Sequence, residues 1–207
     1  MARPSKRQEV LEAGALLFGQ HGFDAVSVKE VADAAGIRLP SLYRHFSTKQ
    51  ELFDEVLRWA CQGVITSERF KFYSSDALPE QKLKHFVYTA VHVHGTRPYL
   101  RKLLQQALVS EDRRTIETIV HKVYADQHSL MVDAIRVLDP NSEPYFKLYI
   151  LLSLSLGFVY LRPLQDVLRA LTTRERNPEF LAATVLEMTF PDIEWETVSL
   201  VDLSPCT

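Results

Sequence analysis

Cysteine is scarce. Cys61 and Cys206 are the only two in 207 residues, far apart and without the spacing of a metal-binding set or a redox pair, a usage that fits a reducing cytosol. An excess of charge of one sign is also missing. The net charge is -2, so the chain as a whole is no basic coat for nucleic acid, and any duplex contact has to come from a local positive face. No apolar stretch follows the basic N-terminus, which argues against a signal peptide. The most apolar run, Leu148 to Leu161, stops at Arg162-Pro163, too short for a membrane span. A soluble, cytoplasmic protein is the expectation. There is no glycine-rich phosphate loop, nucleophile elbow or histidine-glutamate zinc motif, and no nucleophile stands beside a base, so no enzyme is expected. Internal repeats, low-complexity segments and strand-like alternation are lacking as well.

What is present is helical periodicity from end to end. Val10, Leu11, Gly14, Leu17 and Phe18 share one face of a helix from about Ser5 to His21, closed by Gly22. A helix opens at Lys49 behind Ser47 or Thr48 and runs through Leu52, Phe53, Val56, Leu57 and Ala60 into the sixties. Residues 67 to 78 lack a clear period and read as a loop. Helices are expected from Pro79 to His94, from Pro98 to Leu108, from a Ser110 cap to Leu138, from Pro144 to Leu171 with a bend near Pro163, and from Glu179 to Thr189. The acidic tail from Asp192 carries no confident element. The fold class is all-α: a small N-terminal three-helix domain over residues 1–50 and a larger helical bundle over 51–207.

The stretch from Ser27 to Phe46 is the most specific. Ser27 can cap a helix, with Glu30 completing a capping box, and Val28, Val31, Ala32 and Ala35 form its apolar face. Gly36 suits the left-handed position that ends that helix, and Pro40 suits the first turn of a second one, from about Leu39 to His45. Leu42 and Phe46 then face inward, while Ser41, Tyr43, Arg44 and His45 stay outside. That is the layout of a helix-turn-helix. With Ala35-Gly36 followed by Leu42-Tyr43-Arg44-His45-Phe46, the run from Leu11 to Leu52 resembles the DNA-binding domain of the TetR family of bacterial transcriptional regulators. The specific resemblance covers about the first quarter of the chain.

Chemistry divides the outer face. Arg38 and Arg44 can offer paired donors to guanine, and Leu39 and Pro40 offer apolar contact to thymine methyls. Ser27, Lys29, Ser41, Tyr43, His45 and Lys49 suit phosphate oxygens. The resemblance implies that the matching positions contact an operator. Two residues depart from the common pattern of the family: Arg38 stands where a small polar cap is usual, and Pro40 where glycine is.

Seven histidines raise the question of a metal, but neither His85 with His92 nor His121 with His128 has carboxylates or cysteines at ligand spacing. No metal and no cofactor are expected. Tyr149, Leu152, Leu156 and Val159, with Ser153 and Gly157 four apart, give an apolar helix with a notch for a close neighbour. Together with the helix from Phe180 to Met188 it reads as a twofold interface, and homodimerisation is what the resemblance implies. Phe86, Tyr88, His92, Leu104, Tyr124, His128, Met131 and Phe158 are the candidates to line a mostly apolar effector pocket. The function expected is a repressor that binds a palindromic DNA operator as a homodimer and is released by a small apolar effector. The alternative is an architectural or partner-recruiting DNA-binding protein of the same fold without an effector. No membrane partner is expected.

Overall fold

The structure, a computed structural model, describes residues 5–61, 67–123, 125–168, 173–201 and 203. Its elements are helices: α1 (Lys6–Ala25), α2 (Val28–Ala34), α3 (Leu39–Tyr43), α4 (Lys49–Ala60), α5 (Ser67–Ser74), α6 (Pro79–Thr96), α7 (Pro98–Val109), α8 (Arg113–Val123), α9 (Ala125–Leu138), α10 (Pro144–Tyr160), α11 (Arg162–Leu168) and α12 (Pro178–Thr189). By packing they fall into two compact units. The N-terminal unit comprises residues 1–62 and 97–123, and the C-terminal unit residues 63–96 and 124–207.

In the N-terminal unit, α1 is the hub, packed against α2, α4 and α7. Val10, Leu11, Ala15 and Phe18 are buried along one stripe of it, and the Phe18 ring meets Phe53 of α4 edge-on at 4.9 Å. Burying a side chain of this size stabilises the unit by about 1.5–3 kcal/mol. Gly14 permits the close approach of α1 and α4, since a Cβ there would lie 2.8 Å from the Val56 side chain. The helical backbone departs at Gly22, as its position suggested, and resumes to Ala25.

The C-terminal unit gathers α5, α6, α9, α10 and α12 around Leu83, Val87, Met131, Ile135, Leu151 and Val185. Three sequence expectations change here, and the tail, which forms no helix among the described residues, gains a packing role. Residues 67 to 78 are not all loop: α5 occupies Ser67–Ser74. It is fixed by packing on α9 and by buried Tyr73, whose hydroxyl is hydrogen-bonded to His85 Nδ1 at 2.8 Å, so no surface period announces it. The single helix from Ser110 to Leu138 is instead α8 and α9 on either side of residue 124, which lies outside the described residues. Its cap is Asp112, which accepts from the Thr115 N–H at 3.1 Å, while the Ser110 hydroxyl donates back to the Gln106 carbonyl. The helix expected to end at His94 continues to Thr96. The acidic tail, finally, is bound into the core: Trp195 is buried, its indole N–H donates to the Phe190 carbonyl at 3.1 Å, and the Lys84 ammonium donates to the carbonyls of Trp195 and Val198.

The bend near Pro163 is present, 55° between α10 and α11. Among the described residues no single helix is long and apolar enough to cross a membrane; α10 and α11 reach that composition only when taken together across their bend.

Candidate nucleic-acid interface

The capping box at α2 forms as the sequence indicates. Ser27 Oγ accepts from the Glu30 N–H at 3.2 Å, and Glu30 Oε2 accepts from the Ser27 N–H at 2.7 Å. Hydrogen bonding from the Ser27 side chain and from its N–H holds the Glu30 carboxyl below the usual carboxylate range. At the other end, Gly36 adopts φ 64° while its N–H reaches the Asp33 carbonyl at 3.1 Å and the Ile37 N–H reaches Ala32 at 3.0 Å. A Cβ at Gly36 would meet nothing within 4 Å, so conformation and not space calls for glycine.

α3 follows at once, with Pro40 in its first turn and Arg38 at the N-cap making no side-chain cap bond. Arg38 therefore keeps its guanidinium for other partners. Leu42 and Phe46 are fully buried, and Tyr43 is 48% exposed. Arg38, Pro40, Arg44 and His45 are exposed beside it, while Leu39 and Ser41 are half-buried. The helix proper ends at Tyr43, two residues earlier than its sequence suggests. Arg44 and His45 ride on the closing turn, where the His45 N–H donates to the Leu42 carbonyl. The two inward anchors, four residues apart, turn all of these polar groups to one side.

At α4 the cap is Thr48, whose hydroxyl accepts from the Glu51 N–H at 3.0 Å, while Ser47 donates to the Glu51 carboxylate and holds its pKa low. Lys49 is half-buried. Its ammonium donates to the Asp24 carbonyl at 3.2 Å and lies 4.5 Å from the Phe23 ring centre. Exposed Lys29 stands on α2. A contact that periodicity could not show comes from the first turn of α1. The Arg7 guanidinium sits 5.5 Å over the Phe46 ring and pairs with Glu55 of α4.

A packed first helix, a glycine turn and a short, polar-faced second helix held over a common core are the parts of a helix-turn-helix. The model of the family described as bacterial regulatory proteins, tetR family, matches residues 10–56. Over these residues the chain is similar to the DNA-binding domain of the TetR family. It is 33% identical over 112 residues to the HTH-type transcriptional repressor KstR2 of Mycobacterium tuberculosis, an alignment covering 53% of this chain and 56% of that repressor. The chain thus spans about half the length of that curated relative, and less of others. The fold is shared over nearly the whole chain with the TetR-family regulator PfmR of Thermus thermophilus, at TM-score 0.62 and 21% identity, covering 88% of this chain and 97% of PfmR. The fatty acid degradation regulator FadR of Bacillus halodurans is similar at TM-score 0.65 and 14% identity, covering 92% and 97% of the two chains.

The remaining candidate residues are scattered more widely. Of the interface set, Tyr149 and Met188 are 67% and 65% exposed, Ser153 is exposed, and Leu152, Leu156 and Phe180 are half-buried. A Cβ at Gly157 would meet nothing. Val159 turns inward against Val91 and Leu181 and offers nothing to a second copy. Tyr145 and Phe146, exposed on the same helix, were not singled out by the sequence.

Of the pocket set, Phe86 and Met131 are core residues. Tyr88 and His92 stack on each other at 5.5 Å, and His128 lies 5.6 Å from the Tyr145 ring. Phe158 is half-buried. Leu104 belongs to α7 in the N-terminal unit. Tyr124 lies outside the described residues. One cavity in the C-terminal unit has Tyr88, of this set, in its lining. Among the described residues no three His, Cys, Asp or Glu are grouped to hold a metal ion.

Proposed function

We propose that this chain is a TetR-family transcriptional regulator, a repressor in its ordinary action, that binds a palindromic DNA operator as a homodimer and is released by a small effector taken up in the C-terminal unit. The observation that carries the DNA reading is the arrangement at α3: Leu42 and Phe46 are buried, and Arg38, Pro40, Tyr43 and Arg44 are presented together on the outside. Arg38 and Arg44 read bases, Leu39 and Pro40 touch thymine methyls, and Ser27, Lys29, Ser41, Tyr43, His45 and Lys49 hold phosphates. Lys49 is prepositioned for this by the Phe23 ring and the Asp24 carbonyl. Ser27 does so with its backbone already fixed by the capping box.

Dimerisation supplies the second reading head. A twofold pairing through the exposed side of α10 and α12, with Tyr149, Ser153, Gly157 and Met188 at its centre, fits an apolar surface of this kind. Release requires an effector with different affinities for the DNA-competent and DNA-incompetent forms. Selection of bound duplexes from random sequence tests the whole reading. A palindrome with half-sites one helical turn apart is expected, whereas a monomer without salt-sensitive duplex affinity would overturn it.

A second reading, the same DNA-binding protein without an effector, is favoured by the dispersal of the expected pocket residues between core and surface. Ligand-induced thermal stabilisation followed by operator release decides between the two; stabilisation without release supports the second.

A further inference from the structure

Between α6, the start of α12 and residues 196–200 lies a half-open cavity of about 290 Å³. Its apolar wall is made by Tyr88, Ala182 and Leu200, and its charged groups are Lys84, Glu179 and Glu196. The C-terminal segment forms this wall because Lys84 pins it: the ammonium donates to the carbonyls of Trp195 and Val198, 2.6 Å from each. Two of its three donors are thereby engaged. An anion entering the cavity would find one remaining N–H and two carboxylates opposing it, with Glu187 a further negative charge acting on Lys84. A cation meets one like charge, the Lys84 ammonium already committed to two carbonyls, against two carboxylates from two different elements, a net negative balance.

The volume is at the lower end for organic ligands, which sets the size at a single ring or a short chain. We propose that this cavity binds a small apolar amine or quaternary ammonium compound, its cationic head between Glu179 and Glu196 and its hydrocarbon part against Tyr88, Ala182 and Leu200. The apolar wall excludes strongly hydrated polyamines, and the carboxylates discriminate against neutral and acidic analogues of the same shape. A bound cation also ties the C-terminal segment to α12, since Glu196 and Glu179 come from these two places.

The proposal stands on the cavity and not on the DNA reading, and it is tested without DNA. Calorimetric titration of the full chain with 4-phenylbutylamine, 4-phenylbutanol and 4-phenylbutyrate at neutral pH and low salt compares one shape with three charges. The amine is expected to bind about tenfold more tightly than the alcohol, the margin of a charge-assisted contact, and the acid most weakly. Glu179→Gln and Glu196→Gln each reduce amine affinity several-fold, and the double variant removes the preference for amine over alcohol while the alcohol's own affinity is kept. Equal binding of amine and alcohol, tightest binding of the acid, an amine preference that survives the double variant, or no binding of the amine at millimolar concentration would each overturn the proposal. None of these outcomes bears on operator recognition, just as a failure to bind DNA leaves this site untouched.

Discussion

The two units are held by different kinds of interaction. In the N-terminal unit, 14 lysines and arginines stand against 11 acidic residues, whereas the C-terminal unit has 10 against 15. The near-neutral whole therefore conceals a basic half and an acidic half, the basic one carrying the helix-turn-helix. In that half Ser5, Ser27 and Thr48 cap α1, α2 and α4, Gly36 closes α2, and Arg7 with Glu55 and Lys49 with the Asp24 carbonyl tie the helices together. The C-terminal half has caps too, Glu143 on α10 and Asn177 on α12, and adds clasps that reach much further along the chain. Lys84 holds a segment more than a hundred residues away, Tyr73 meets His85, and Lys147 lies 4.1 Å over the Phe190 ring.

That contrast can be broken by experiment, because each unit carries one of the two tryptophans, Trp59 in α4 and Trp195 in the C-terminal segment. The largest effect is expected for Trp195→Ala, about 3–5 kcal/mol for loss of a fully buried aromatic side chain. Urea unfolding should show it in the C-terminal unit while Trp59 fluorescence keeps its midpoint. An equal shift at Trp59 would mean that the two units unfold as one.

Next comes acid. Burial, with the Arg69 guanidinium nearby, pushes His85 down to about 4. The unfolded chain therefore takes up this proton first, and stability present above the ordinary histidine range is lost as the pH falls from about 6.5 to about 4. The loss amounts to roughly 3 kcal/mol at the lower end. With Trp59→Phe leaving Trp195 as the sole reporter, unfolding of the C-terminal unit should weaken across this window. A His85 resonance titrating near pH 6.5 in the folded protein would refute the assignment.

What the sequence disclosed follows the same line. The α2–α3 turn was legible because its signals lie within four residues of one another: Ser27 with Glu30, Gly36 after Ala35, Leu42 with Phe46. Tyr73, Trp195 and Lys84 were not, because each acts on a partner that only the folded chain brings near. The same holds for Arg7 over Phe46, a contact that ties α1 to the end of α3. Asp112 was passed over for Ser110 because both are good caps and only the backbone at Glu111, with φ 52°, decides between them.

Two smaller predictions sharpen the basic half. Arg44→Ala should relax preference at one base position at a cost of about 1–3 kcal/mol in operator binding, measured as the specificity ratio between operator and its single-base variants. Uniform weakening across all variants would make Arg44 a phosphate contact. Lys49→Ala should weaken every duplex alike and lower the salt slope by about one, while loss of its seat on Phe23 takes about 0.5–1 kcal/mol from the stability of the unit. An unchanged slope with lowered stability would leave Lys49 a purely structural residue.

The shortness of α3 has a consequence of its own. Five residues make a rod of about 7.5 Å, the rise of roughly two base pairs along the duplex. If α3 reads the operator as proposed, then as an address written in a four-letter alphabet one copy of it spells only a few letters, among about a million or more competing positions in a genome. A second identical copy at a fixed distance multiplies the odds against a chance match instead of adding to them. With so few letters per copy, fidelity lies in the spacing between the two copies as much as in the letters.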